Sequence, residues 1–198
     1  MTTIKNYLSL IKFSHTIFAM PFAIIGFSLG VIRKESIISS DPWYLRYGPT
    51  LFLVILCMIF ARSAAMAFNR WADNKYDKEN QRTKIREIPS GIISPNNALI
   101  FVLANCALFT ITTYFINKTC FLLSPVALTV ILGYSYAKRF TSLCHLILGL
   151  GLSLAPIGAF LAVTGEFRLL PLLFSGIVLF WVSGFDIIYA LQDEEFDR

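Results

Sequence analysis

The sequence predicts an all-α fold, a polytopic transmembrane helical bundle forming one domain over residues 1–198. Three observations carry that prediction. Apolar residues make up 56% of the chain and charged residues 15%, against roughly 25% charged in a soluble domain. Mean hydropathy is +0.66. Several apolar runs reach or approach the ~20 residues that cross a bilayer as a helix. The 18 phenylalanines supply apolar bulk, with no periodicity that would suggest a barrel.

Six spans are expected. Residues 1–13 are short and amphipathic, with Lys5 and Lys12 beside Tyr7, Leu8, Leu10 and Ile11, suited to lying on the membrane surface. The first span covers about Ser14 to Ile32 and contains Pro21 and Gly26, which membrane helices tolerate. Arg33-Lys34-Glu35 follows it instead of a small-residue cleavage site, so no cleavable signal peptide is expected. The loop over 33–48 places Trp43, Tyr44 and Tyr47 as an interfacial belt. The second span, about Pro49 to Phe68, runs directly into a polar loop reaching about Asn96 and broken by Pro89, Gly91 and Pro95. The third span covers about Asn97 to Ile116 and turns tightly at Asn117-Lys118 into the fourth, Thr119 to about Ala137. The fifth, about Ser142 to Val163, carries Gly149, Gly151, Ser153, Ala155 and Gly158, small residues suited to close helix packing. The sixth, about Leu169 to Leu191, ends in an acidic segment.

Twelve of the 17 basic residues fall on the side of the N-terminus. The positive-inside rule therefore places both termini and the motif loops on the cytoplasmic face, of a bacterial inner membrane if the host is bacterial. Spans two, four and six all descend to that face, so their charged ends can converge. The net charge of +5 fits a basic surface facing anionic lipid and anionic substrates, and nucleic acid is not an expected partner. Cys57, Cys106, Cys120 and Cys144 lie in or beside apolar runs without CxxC spacing and read as small hydrophobes.

The chemistry concentrates in Asn69 to Gly91, NRWADNKYDKENQRTKIREIPSG. Asn69, Asp73 and Asp77 recur every four residues; on a helix they share a face, drifting only ~80° over the set. Lys78, Arg82, Lys84 and Arg86 follow at once. Carboxylates beside arginines suit a divalent metal holding a phosphorylated ligand. The chain's end repeats this grammar: Asp186, Tyr189, Asp193 and Asp197 form one helical stripe. Asp186 falls within an apolar helix, where a carboxylate is costly unless it faces protein or a water-filled cavity. Two facing aspartate pairs suit Mg²⁺, which takes few carboxylates and completes its shell with water and phosphate oxygens.

At this point the motifs resemble a known family. NRWADNKYD reads NxxxDxxxD, DIIYALQDEEFD reads DxxYxxxDxxxD, YSYAK is a YxxxK, and Arg82-Thr83 to Arg86 is an RTxxR. Together they resemble the UbiA family of intramembrane aromatic prenyltransferases over essentially the whole chain. The opening KFSHTIFAMPFA looks most like its 4-hydroxybenzoate polyprenyltransferase branch, which serves quinone biosynthesis. The resemblance implies Mg²⁺-assisted ionisation of a polyprenyl diphosphate and alkylation of an aromatic acceptor, for 4-hydroxybenzoate ortho to the hydroxyl. It implies Asp73, Asp77, Asp193 and Asp197 as metal ligands, supported by Asn69. Lys138, Arg82 and Arg86 would grip the diphosphate, while Arg62 and Tyr134 line the pocket. Asp186 and Tyr189 would orient the acceptor or stabilise the cation. The family typically has about nine spans, so a chain with six is expected to be incomplete at its C-terminus.

A transporter or channel for an anionic or phosphorylated solute is the rival expectation, using the same groups to bind without reacting. The lack of an inverted repeat and of charge in the outer half of the spans counts against it. His15 and His145 are expected as helix-end or headgroup contacts and not as a joint metal site. Glu79 and Glu87 are expected to balance nearby bases.

Overall fold

The computed structural model describes residues 2–12, 14–35 and 42–190, and among them every regular element is helical. In chain order these are α1 (Thr2–Leu10), α2 (Ser14–Glu35), α3 (Trp43–Glu79), α4 (Pro95–Ile116), α5 (Lys118–Ala137), α6 (Cys144–Thr164) and α7 (Leu169–Ala190). Helices α3 to α7 are long and apolar enough to cross a membrane. α2 takes the place of the first expected span, but its apolar run extends only from Ile17 to Ile32 between polar turns.

The largest departure from expectation is α3. It begins at Trp43, inside the segment expected to be loop, and continues through the whole acidic motif to Glu79. Neither Gly nor Pro occurs between Thr50 and Ile88, so nothing interrupts the helix at Asn69. Its 37 residues span about 55 Å, well beyond a ~30 Å hydrocarbon core. Asn69, Asp73 and Asp77 therefore stand on a rigid helical extension. The helix ends at Asn80, whose side chain accepts a hydrogen bond from the Arg82 backbone N–H at 2.8 Å, an Asx turn that competes with further winding.

Residues 80–94 are largely exposed but are anchored by buried side chains. Ile88 and Ile93 are buried with Leu10 and Ile11 of the N-terminal segment, Ala67 of α3, and Ala98 and Val102 of α4. The loop thus caps one end of the bundle. It leads into α4 through Ser94, whose hydroxyl accepts from the Asn97 N–H at 3.2 Å, with Pro95 at the first helical position.

At the opposite end, Asn117 alone separates α4 from α5. Its side-chain oxygen caps α5 by accepting from the Cys120 N–H at 2.8 Å. Its amide donates to the carbonyls of Leu161 and Ala162 in α6, at 2.9 and 3.3 Å. Gly165 then ends α6 in the left-handed conformation, its N–H returning to the Leu161 carbonyl at 2.8 Å.

α6 is the central helix, packed against α7, α2 and α5. Two glycines permit its closest approaches. A Cβ on Gly26 would meet the Pro156 carbonyl oxygen at 1.9 Å, and one on Gly149 would meet the Leu179 carbonyl oxygen at 2.4 Å. Ser153 is buried as expected, but the remaining small residues of α6 face open space. A Cβ on Gly158 would meet nothing within 4 Å, and Gly151, Ala155 and Gly158 line a cavity. They leave space between helices instead of closing it.

Candidate active site at the motif end of the bundle

The C-terminal ends of α3, α5 and α7 and the start of α6 meet at one end of the bundle. Lys138, at the C-cap of α5, donates to the Asn69 side-chain oxygen at 2.8 Å and pairs with Asp73. Arg139 lies 3.7 Å from the other Asp73 oxygen and donates to the Ala72 carbonyl. Its guanidinium sits 5.2 Å from the Tyr76 ring centroid and 5.6 Å from that of Tyr136. The expected convergence of the first acidic motif with the YxxxK lysine is therefore direct contact.

Asp77 faces elsewhere. It is buried, and one Arg86 nitrogen reaches both its carboxylate oxygens, at 2.9 and 3.0 Å. The Thr83 hydroxyl donates to its backbone carbonyl at 3.1 Å. The divergence follows from helical geometry. Four-residue steps accumulate ~40° each, and Asp77 ends nearly in line with Arg70, seven residues earlier and only ~20° away. Arg70 is itself buried and paired with Glu87, which also accepts from Ser9 on α1. Glu87 does balance a nearby base, as expected; Arg86, expected to grip diphosphate, is here paired with Asp77.

Arg82 is exposed. With Ser9, Lys12, Arg70, Thr83 and Arg86 it lines a recess of about 420 Å³. Lys12 in that recess is held below its ordinary pKa by partial burial first, then by Arg70, Arg86 and Arg82.

Behind Asn69 lies a second, mostly apolar cavity of about 360 Å³ between α3, α4, α5 and α6. Arg62, Asn69 and Tyr134 are lining residues, so Asn69 belongs both to the acid–base cluster and to the cavity. Tyr134 carries the Lys138 ammonium 6.0 Å from its ring centroid.

Of the second motif, Asp186 and Tyr189 are described; Asp193 and Asp197 lie outside the described residues. Asp186 accepts or shares a proton with His145 Nδ1 at 2.7 Å. Tyr189 is 52% exposed and stacks on Phe185 with ring centroids 6.2 Å apart. It is not a lining residue of the cavity.

His145 and Arg139 are the residues that sequence reasoning passed over. His145, expected as a helix-end or headgroup contact, stands in the first turn of α6 and is hydrogen-bonded to Asp186. A signal for it existed: a carboxylate inside an apolar helix needs a partner, and the first turn of α6 is the neighbouring segment. The side chain of His15 lies outside the described residues.

Among the described residues no three acids, histidines or cysteines cluster as a metal cage. The donors present are nevertheless all oxygen, the class that Mg²⁺ takes. Asn74, between the two motif aspartates, has a buried side-chain oxygen with no donor among the described residues. Asp73 and Asp77 would hold the ion with few carboxylates, as Mg²⁺ prefers; Lys138 and Arg86 now neutralise them.

Comparison with known proteins bears on this geometry. Residues 19–198 match the profile of the UbiA prenyltransferase family. A 4-hydroxybenzoate octaprenyltransferase of Nitrosomonas eutropha is 37% identical over 145 residues, covering 72% of this chain and 50% of that protein. The enzyme of the same name from Francisella tularensis subsp. novicida is 32% identical over 147 residues, covering 74% and 52%. The chain thus spans about half the length of these curated relatives. Among solved structures, the apo form of a UbiA homolog from Aeropyrum pernix K1 superposes with a TM-score of 0.79 at 33% identity, covering 93% of this chain and 66% of that one. A UbiA homolog from Archaeoglobus fulgidus bound to GPP and Mg²⁺ shares the fold, with a TM-score of 0.71 at 23% identity, covering 97% and 65%.

Proposed function

The chain belongs to the UbiA prenyltransferase family, and from that premise we propose that it supplies the donor and acceptor sites for Mg²⁺-dependent transfer of a polyprenyl group to 4-hydroxybenzoate. One observation carries the reading. Asn69, on the motif extension of α3, binds Lys138 in the charged cluster and also lines the apolar cavity. An anionic leaving group and an apolar reactant can therefore be held on either side of one residue. The names of the two bacterial relatives support 4-hydroxybenzoate as the acceptor, and the bound GPP and Mg²⁺ of the Archaeoglobus fulgidus homolog support the donor and the ion.

In this reading the reaction breaks the C–O bond of the allylic diphosphate, which departs with the electron pair. The ring carbon ortho to the hydroxyl then forms the new C–C bond and loses its proton. Bound Mg²⁺ supplies neutralisation of the charge that develops on the departing diphosphate. Lys138 turns from Asp73 to a phosphate oxygen, which frees the Asp73 carboxylate from its present partner. Arg139 stays within reach of the same carboxylate and keeps its charge compensated. The cavity walls exclude water from the allylic cation, which would otherwise be hydrolysed. The donor's isoprenoid tail lies between helices toward lipid, and the motif end faces the cytoplasm.

The test is a product assay in membranes containing the chain, with a polyprenyl diphosphate, 4-hydroxybenzoate and Mg²⁺. We expect prenylated product, and its loss with Asp73→Asn or on chelation of Mg²⁺. Undiminished turnover in Asp73→Asn would refute the role given to the first acidic motif.

A further inference from the structure

The acceptor carbon that bonds to the prenyl group must then give up its proton, and a base has to receive it. That carbon is joined to the prenyl C1, the atom from which diphosphate has just departed. The proton is therefore released beside the charged cluster and not deep in the apolar cavity. Most groups described there are poor bases. Lys138 and Arg139 are cations, Asn69 is a neutral amide, and Asp73 is paired with Lys138 and serves the ion. Tyr134 is a phenol, which donates a proton more readily than it takes one.

His145 is in a different condition. It stands in the first turn of α6, with Nδ1 2.7 Å from a carboxylate oxygen of Asp186. An ionised carboxylate only accepts hydrogen bonds, so in the neutral ring Nδ1 carries the proton and Nε2 keeps its lone pair. The packing of α6 on α7 fixes this pair. A Cβ on Gly149 would meet the Ser183 hydroxyl at 2.3 Å and the Leu179 carbonyl at 2.4 Å. His145 lies one turn before Gly149 and Asp186 three residues after Ser183; such neighbours share a helix face, so the close approach sets one opposite the other. The side chains are 24% and 23% exposed, open enough to exchange a proton with water. Asp186 and Asp73 both act electrostatically on Tyr134, and Asp186 and Lys138 both act on Cys144. The pair thus shares one neighbourhood with the first acidic motif, its lysine and a residue of the cavity wall.

We propose that His145 is the general base of the transfer and that Asp186 is its positioning residue. The C–H bond at the newly substituted carbon breaks and its electron pair restores the aromatic ring. The proton forms an N–H bond at Nε2, while Asp186 holds the tautomer and offsets the imidazolium charge. The proton then leaves to water through the exposed side of the ring.

The proposal rests on the prenyl-transfer reading, and the two can fail separately. Membranes containing the chain are given geranyl diphosphate, Mg²⁺ and either 4-hydroxybenzoate or the same acid deuterated ortho to its hydroxyl. Wild type should form product from both at equal rates. His145→Gln, whose amide still donates to Asp186, should lose product roughly a hundredfold, as expected for a missing general base. Its residual rate should show a primary deuterium isotope effect, because proton removal now limits it. Geranyl diphosphate binding and the thermal midpoint should stay unchanged. Added imidazole should restore product in His145→Ala. Undiminished product from His145→Gln overturns the proposal and leaves the proton to the departing diphosphate. A loss with no isotope effect and no rescue by imidazole also overturns it, and makes the pair a structural tie between α6 and α7. No product from wild type would overturn the prenyl-transfer reading, and the assignment of its base with it.

Discussion

Asp73 and Asp77 are chemically identical, sit one turn apart, and have different fates. Asp73 faces Lys138 across a gap between helices, whereas Asp77 is buried against Arg86 of the folded loop. The first contact lies beside the cavity; the second is closed by the loop, so an ion taking Asp77 as a ligand would have to draw it away from Arg86. Removing the cation from a buried pair leaves an uncompensated charge, which costs about 3 kcal/mol or more. We expect Arg86→Met to destabilise by about that amount and Asp77→Asn in the same chain to recover most of it, measured as thermal midpoints in detergent. Lys138→Met should behave oppositely, with a small change in midpoint and a loss of product of tenfold or more. A large stability loss for Lys138→Met would mean that its pair with Asp73 is structural. The four-residue spacing announced a shared face, and for Asn69 and Asp73 that was sufficient. It did not announce that ~40° per step carries Asp77 round to the loop side, because the sequence alone does not say what stands on each side of a helix.

The helical elements were legible where hydrophobic runs and punctuation agree. Ser94-Pro95 starts α4 and Asn117 divides α4 from α5, both by side-chain capping that can be read from residue type. The loop over 80–94 was not legible, because its high charge suggested solvation, and nothing in the sequence distinguishes its anchors, Ile88 and Ile93, from the exposed Ile85 and Ile92. Burial of both beneath α1 explains why the segment holds Arg86 and Glu87 in place for α3. Ile88 is 2% exposed, so Ile88→Ala should cost roughly 2–4 kcal/mol. Limited proteolysis after the arginines and lysines of 78–86 should then accelerate. An unchanged cleavage rate would show that the loop does not depend on its isoleucine anchors. α6 carries the same lesson in its glycines. A stripe of small residues is visible in sequence, but only the neighbours decide that Gly149 admits α7 and Gly158 opens onto the cavity.

The two ends of the bundle are held by different chemistry. At the motif end the ties are mostly ion pairs, Lys138 to Asp73, Arg86 to Asp77 and Arg70 to Glu87, with His145 hydrogen-bonded to Asp186. At the far end, neutral hydrogen bonds from Asn117 and Thr119 tie the α4–α5 turn to the end of α6. Topological parity made the convergence of charges predictable, since α3, α5 and α7 all finish at the same end, but the partners inside the cluster depended on side-chain directions. A diphosphate with Mg²⁺ competes for the charged ties and offers nothing to the neutral ones. Binding should therefore exchange partners at one end while the other stays as it is. Hydrogen exchange followed by mass spectrometry, with and without geranyl diphosphate and Mg²⁺, should show altered protection in 69–94 and 136–146 and none in 112–122 or 158–166. Asn117→Ala should lower the thermal midpoint by removing bonds at the far end, yet leave the ligand-induced change at the motif end intact. Exchange that shifts equally at both ends would mean that the bundle moves as a unit, and that the separation of a neutral hinge from a charged, ligand-responsive end is wrong.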